Sequence, residues 1–236
     1  MLKTSSKTHL AVFDIDGTLT DSVPVFQAAY TEALQPFKFE VIDTNWGDYE
    51  HHTDSWIFQK IYRTNHGRLP DAAARKRFSD ELLRVYSHAI REKPVLEIPG
   101  AARFIEFLEN KTPWAIAFAT GSLEPPARLK LDACVIPYGE ATLATSSDFL
   151  TREDIVGAAI EGAKKHYGCN HFKTVISFGD GLWDFKTAQN MNLHFIGIGE
   201  GPKAEHLTKL GNTVFQNFQR PAFIYNHMET LATTHP

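Results

Sequence analysis

The feature that most constrains this chain is the run Leu10-Ala11-Val12-Phe13-Asp14-Ile15-Asp16-Gly17-Thr18-Leu19-Thr20. An uninterrupted apolar stretch of this length predicts a strand buried on both faces, as in a parallel sheet. Alternate residues of a strand share a face, so Asp14 and Asp16 are expected to point the same way at its C-terminal end. Open parallel sheets hold their ligands at that edge. Gly17 permits a sharp turn after the carboxylates, and Thr18 adds a hydroxyl and a backbone N–H. Two carboxylates this close repel, and they coexist only with a cation between them or a proton on one. Such a pair suits phosphoryl transfer. One Asp serves as nucleophile, with Mg²⁺ neutralising charge, and the other as general acid and base. The bland alternative is a strand that ends in a solvated acidic turn.

With 236 residues, the chain can bury a large core, either as one domain or as a core with an insert. Its net charge of −4, with no basic stripe, gives no reason to expect nucleic acid as a partner. The N-terminal residues are polar and the apolar run after them is short, so neither a signal peptide nor a membrane span is expected. Cys134 and Cys169 have no ligand-like spacing and read as inert thiols of a reducing, cytoplasmic compartment.

After Thr20 the pattern turns helical. Helices are expected near 23–34, 53–65 and 71–92, the last ended by Pro94. No strand signal interrupts this block, so residues 21–93 read as a helical domain inserted into a core made of 1–20 and 94–236. From Pro99 onward, strands and helices alternate, which predicts βαβ units and a parallel α/β sheet. Strands are expected at 114–119, 142–145, 174–178, 193–198 and 213–216. Polar clusters follow the strand ends: Asp14 and Asp16, Thr120-Gly121-Ser122, Arg152, and Asp180 with Asp184. In a parallel sheet these ends converge on one edge.

On these motifs the chain resembles the haloacid dehalogenase-like hydrolase superfamily, most of all its phosphoglycolate phosphatase and β-phosphoglucomutase group. Asp14-Ile15-Asp16-Gly17-Thr18 matches the first motif of that family, Thr120 the second, and Gly179-Asp180-Gly181-Leu182-Trp183-Asp184 the fourth. The resemblance implies a Rossmann-like core with a helical cap. It also implies a phosphatase acting on a small phosphorylated metabolite. Asp14 would form an aspartyl-phosphate, and Asp16 would protonate the leaving alcohol and then activate water. Mg²⁺ would be held by the Asp14 carboxylate, the Asp16 main-chain carbonyl and Asp180, with Asp184 either a direct ligand or one step removed. Gly17, Thr18, Thr120, Gly121 and Ser122 are the expected phosphate contacts, although Ser122 reads equally well as a helix cap. The partner is a small molecule and not a membrane, and the chain is a monomer or a homodimer.

The third motif departs from the pattern. Where the family supplies a lysine, this chain reads Leu150-Thr151-Arg152-Glu153-Asp154. Arg152 is the cation placed to serve, with Lys130 as a fallback; the competing reading of Arg152 is an N-terminal helix residue paired with Glu153 or Asp154. In the cap, Asp48, Tyr49, His51, His52, Trp56, Arg63 and His66 are candidate contacts, each with cap packing or simple exposure as the stronger alternative. Hinges are expected at Thr20–Ser22 and Lys93–Glu97. A phosphomutase using the same core residues, or a non-catalytic phosphate-binding protein, remain the competing functions.

Overall fold

The computed structural model describes residues 7–139 and 142–233. Residues 1–6, assigned above to the core, lie outside the described residues, as do 140–141 and 234–236. Strand β1 (His9–Phe13) is followed by the two-residue strand β2 (Thr20–Asp21). Helices α1 (Val23–Leu34), α2 (Asp54–His66) and α3 (Ala72–Glu92) come next, and then β3 (Leu96–Glu97). The α/β part continues with α4 (Ala101–Lys111), β4 (Trp114–Ala119), α5 (Glu124–Ala133) and β5 (Leu143–Ala144). It is completed by α6 (Arg152–Tyr167), β6 (Val175–Gly179), α7 (Leu182–Asn190), β7 (His194–Ile198), α8 (Gly201–Lys209), β8 (Val214–Phe215) and α9 (Pro221–Ala232).

The main sheet has the order β5-β4-β1-β6-β7-β8, and every pairing in it is parallel. β1 is unbroken in its apolarity because both of its faces are covered. Ala11 and Phe13 face one core cluster, while Leu10 and Val12 face another beneath α6. Phe13 stacks on Phe178 at 4.5 Å between ring centroids, with Phe104, Phe118 and Phe218 around it. Burying each such ring contributes about 1.5–3 kcal/mol. Together they fix the edge where β1, β4 and β6 end side by side.

The helical region lies between β2 and β3. Phe58 of α2 stacks on Phe78 of α3 at 4.2 Å, and Tyr30 of α1 meets Phe78 edge-on at 5.0 Å. This aromatic packing ties the inserted helices together and is continuous with the cluster around Phe13. The expected hinge segments are not free connectors. Thr20 pairs with Glu97 and Asp21 with Leu96 in an antiparallel ribbon, and the Ile98 N–H donates to the Leu19 carbonyl at 2.8 Å. Two helix starts place site residues. α7 begins at Leu182, which puts Asp184 in its first turn, and α6 begins at Arg152 itself, capped by Thr151, whose Oγ1 accepts the Asp154 N–H at 3.1 Å. No helix among the described residues is long and apolar enough to cross a membrane.

Candidate active site

The ends of β1, β4 and β6, together with the start of α6, bring Asp14, Thr120, Arg152, Asp180 and Asp184 together. Asp14 is 4% exposed. Its Oδ1 accepts a hydrogen bond from Arg152 Nη1 at 2.9 Å, and the same Nη1 lies 3.4 Å from Asp184 Oδ1. Burial lifts the Asp14 carboxyl to about 6, against the pull of Arg152 and with the help of the nearby Asp180 and Asp16 charges. Burial also raises Asp180, opposed by Lys203, and raises Asp184 well above the usual range, with Asp14 adding to the effect. Arg152 is held firmly charged. Burial works against it, but the neighbouring Asp14 and Asp184 carboxylates outweigh that.

Asp16 belongs to a separate network. Lys130, fully buried, places Nζ 2.7 Å from an Asp16 oxygen and 2.7 Å from Ser122 Oγ, and 3.4 Å from the centroid of the Phe26 ring. Ser22 Oγ donates to Asp16 Oδ1 at 2.5 Å and Ser122 Oγ to Asp16 Oδ2 at 2.9 Å. Burial would raise Asp16, yet the Lys130 charge and these donors hold it below the usual carboxylate value. Each carboxylate has its own buried cation, Arg152 for Asp14 and Lys130 for Asp16.

Three carboxylates form a cluster suited to a metal. Oxygens of Asp14, Asp180 and Asp184 lie within 4.8 Å of one another. Asp14 Oδ2 and Asp180 Oδ1 are buried with no hydrogen-bond partner. A buried carboxylate oxygen left without a donor is costly, and a hard divalent cation that prefers oxygen ligands would satisfy both. Lys203 Nζ takes the other Asp180 oxygen at 2.8 Å. Asp184 Oδ2 accepts the Gly181 N–H at 3.1 Å, so Asp184 also helps to cap the start of α7. The side chain of Asp16 is turned to Lys130 and the serines.

The smaller residues divide. Gly17 has φ of +79°, and a Cβ there would fall 2.5 Å from Asp180 Oδ2, so glycine is required by both the turn and the carboxylate beside it. The Gly17 N–H donates to the Thr20 carbonyl at 2.8 Å and the Thr18 N–H to the Ile15 carbonyl at 3.3 Å. Both amides are spent on the loop; the Thr18 hydroxyl is buried without a partner. Thr120 Oγ1 accepts the Ser122 N–H at 3.1 Å. Ser122 is neither a helix cap nor free for phosphate, because its hydroxyl bridges Asp16 and Lys130. At Gly121 a Cβ would meet the His52 carbonyl oxygen at 2.2 Å. The inserted helices press directly on the core at this point.

That contact is the seam of the site. The Asp54 N–H donates to the Gly121 carbonyl at 2.7 Å, and Thr53 Oγ1 donates to the Leu150 carbonyl at 2.7 Å. Asp54 Oδ2 accepts the Leu123 N–H at 2.9 Å, and Arg152 Nε donates to the His52 carbonyl at 3.1 Å. Between the two parts lies a cavity of about 250 Å³, into which Asp16, Phe26, Tyr30, Trp46, Asp54 and Lys203 face. Of the cap candidates named from sequence, His52 lines this cavity and stacks on Trp183 at 4.1 Å. Asp48, Tyr49 and Trp56 line a separate surface hollow, and His66 packs on Phe39 and Tyr62. Sequence reasoning passed over Asp54, Trp46 and Lys203. Lys203 follows the end of β7, and the strand-end rule that singled out Asp180 applies to it equally.

A family model described as a haloacid dehalogenase-like hydrolase matches residues 8–192. Among solved structures, a hydrolase from Pseudomonas syringae is similar, with a TM-score of 0.68 at 22% identity, over 94% of this chain and 99% of that one. CbbY from Rhodobacter sphaeroides, in complex with phosphate, gives a TM-score of 0.65 at 15% identity, over 89% of this chain and 95% of that one. A predicted phosphoglycolate phosphatase from Haemophilus somnus gives 0.62 at 16%, over 92% and 97%. At these identities the likeness is one of fold. No curated protein matches the chain significantly. The family match covers well over half of the sequence, including every motif that forms the carboxylate cluster, and the chain belongs to the haloacid dehalogenase-like hydrolase family.

Proposed function

We propose that the protein is a Mg²⁺-dependent phosphatase that hydrolyses a small phosphorylated metabolite through an aspartyl-phosphate on Asp14. The observation that carries this reading is the division of labour at Asp14. Arg152 fixes one carboxylate oxygen, while the other is buried, unpartnered and beside the equally unpartnered Asp180 Oδ1. Asp14, Asp180 and the Asp16 main-chain carbonyl would hold Mg²⁺, with Asp184 in support. When bound, the ion would neutralise the clustered carboxylates and the phosphate charge.

A carboxylate oxygen of Asp14 attacks phosphorus and the ester P–O bond breaks. The departing alkoxide takes a proton from Asp16. In the second half Asp16 accepts a proton from water as that water attacks phosphorus, the acyl-phosphate bond breaks, and Asp14 is restored. The network of Lys130, Ser22 and Ser122 holds Asp16 as a carboxylate, which suits the second half. The negative charge of an arriving phosphate raises its pKa, which favours the protonated form that the first half needs. Arg152 stands where the family pattern has lysine; its fork binds Asp14 and the cap carbonyl at once. Thr120 and the Gly121 N–H are the proposed phosphate contacts from β4.

Residues 21–93 act as the cap, and 1–20 with 94–236 as the catalytic core. The hydrogen-bonded seam at Thr53, Asp54 and Gly121 would keep water from the covalent intermediate. The free thiols Cys134 and Cys169 support a reducing, cytoplasmic setting.

The test is release of inorganic phosphate from a panel of phosphorylated metabolites, with Mg²⁺, with EDTA, and with Asp14→Asn. Release that needs Mg²⁺ and disappears in the variant supports the proposal. A folded wild-type protein that releases phosphate from none of the panel contradicts it.

A further inference from the structure

We propose that Asp54 reads the leaving group, and that it selects phosphomonoesters whose far end carries a hydroxyl over those whose far end carries a carboxylate. This rests on the phosphatase reading of the same cavity. Asp54 is buried and faces the space shared with Asp16, Thr120 and Ser122. It cannot swing aside. Its N–H is bonded to the Gly121 carbonyl at 2.7 Å and its Oδ2 receives the Leu123 N–H at 2.9 Å.

Among the described residues, it has no ion pair of its own; the Lys130 and Arg152 charges act on it only from beyond ion-pair distance. The cations around the cavity are already committed. Arg152 is paired with Asp14 and Asp184, Lys130 with Asp16, and Lys203 with Asp180. A divalent cation at Asp14 and Asp180 would still leave Asp54 without an ion pair of its own. The remaining wall beside it, Phe26, Tyr30, Trp46 and Ile57, carries no charge. Burial pushes the Asp54 carboxyl up to about 7, against the pull of the Lys130 charge and the Leu123 N–H. A substrate hydroxyl would supply a donor. A substrate carboxylate would bring a second anion beside Asp54, where the cations that line the space, Arg152 and Lys203, are already paired with other carboxylates.

The test compares glycerol 3-phosphate with 3-phosphoglycerate, which differ at the end away from phosphate. Phosphate release is measured with Mg²⁺ on the wild type. Binding is measured by calorimetry with Mg²⁺ on Asp14→Asn, which blocks turnover. Both are repeated with Asp54→Asn, whose amide oxygen keeps the Leu123 bond without the negative charge. The expected preference for glycerol 3-phosphate is about tenfold or more, falling to within about threefold in Asp54→Asn because 3-phosphoglycerate gains. Equal use of the two esters, a preference for 3-phosphoglycerate, a ratio unmoved by Asp54→Asn, or binding of neither ester would overturn the proposal. If Asp54→Asn does not fold, the wild-type ratio alone decides it. Selective binding without phosphate release from either ester would instead contradict the phosphatase reading and leave the selectivity of Asp54 standing.

Discussion

Arg152 Nη1 lies 2.9 Å from Asp14 Oδ1, and the Nε of the same guanidinium donates to the His52 carbonyl of the helical insertion at 3.1 Å. One side chain therefore holds the proposed nucleophile and touches the cap. Lysine, with a single ammonium on a flexible stem, has no second donor at a fixed angle to do both. Arg152→Lys should keep part of the activity, lost mainly in kcat, while Arg152→Ala should lose more, by about 10²-fold or beyond. Arg152→Ala also strands a buried carboxylate and should destabilise the fold by about 3–5 kcal/mol. Steady-state kinetics and denaturant melts of the two variants check this; identical kinetics for both would show that the guanidinium geometry is immaterial.

Lys130 and Asp16 form the second buried pair. Lys130→Met retains the bulk of the stem but leaves Asp16 with only its serine donors. The expected loss is about 3–5 kcal/mol of stability. Removing the exposed Lys76–Asp80 pair, 2.6 Å apart on α3, should cost no more than about 0.5 kcal/mol. Urea midpoints for Lys130→Met and Lys76→Met, measured side by side, test the contrast.

Metal addition should stabilise the protein through the Asp14–Asp180–Asp184 cluster. At about 100 times its dissociation constant, Mg²⁺ should add ~2.7 kcal/mol to the stability of the wild type. Asp180→Asn should abolish most of that gain. Thermal melts with and without Mg²⁺ read it directly, and an equal gain in Asp180→Asn would place the ion elsewhere.

His52 supplies a pH dependence. Burial, with the Arg152 charge second, lowers its pKa to about 4 from the ordinary 6.5. The unfolded chain therefore binds the proton more readily. The contribution of neutral His52 is complete above about 6.5 and is lost as pH falls toward 4. Because His52 stacks on Trp183, protonation should change the tryptophan emission with a midpoint near 4. A midpoint near 6.5, or a titration that survives His52→Gln, would refute the assignment.

The parallel sheet and the strand-end clusters were legible because they depend on local pattern. Val12 and Phe13 sit in a run with no polar interruption, and Asp14, Asp180 and Arg152 each follow a strand or begin a helix. Arg152 was legible as the cation for Asp14, because it begins a helix at the same sheet edge. The partner of Asp16 was not: Lys130 reads only as a fallback for Arg152, and the packing of α5 beneath Phe26 and Tyr86 is what turns it inward to Asp16. Ser122 looked like a phosphate ligand or a cap because both are local roles; its actual role depends on contacts more than a hundred residues apart in sequence. Asp54 was hidden for the same reason. Following Thr53 at a helix start, it reads as an ordinary first-turn acid, and its function depends on where α2 lands on the β4 loop.

If Asp14 carries the phosphoryl group, the acyl-phosphate can be trapped directly: a turnover reaction is quenched in acid, reduced with borohydride, and its peptides mapped by mass. An acyl-phosphate on Asp14 is reduced to homoserine, so homoserine is expected at position 14 in the wild type with substrate and Mg²⁺, and none without substrate. Phosphate release at full rate with Asp14 unmodified throughout, or with homoserine at another carboxylate, would contradict that role for Asp14.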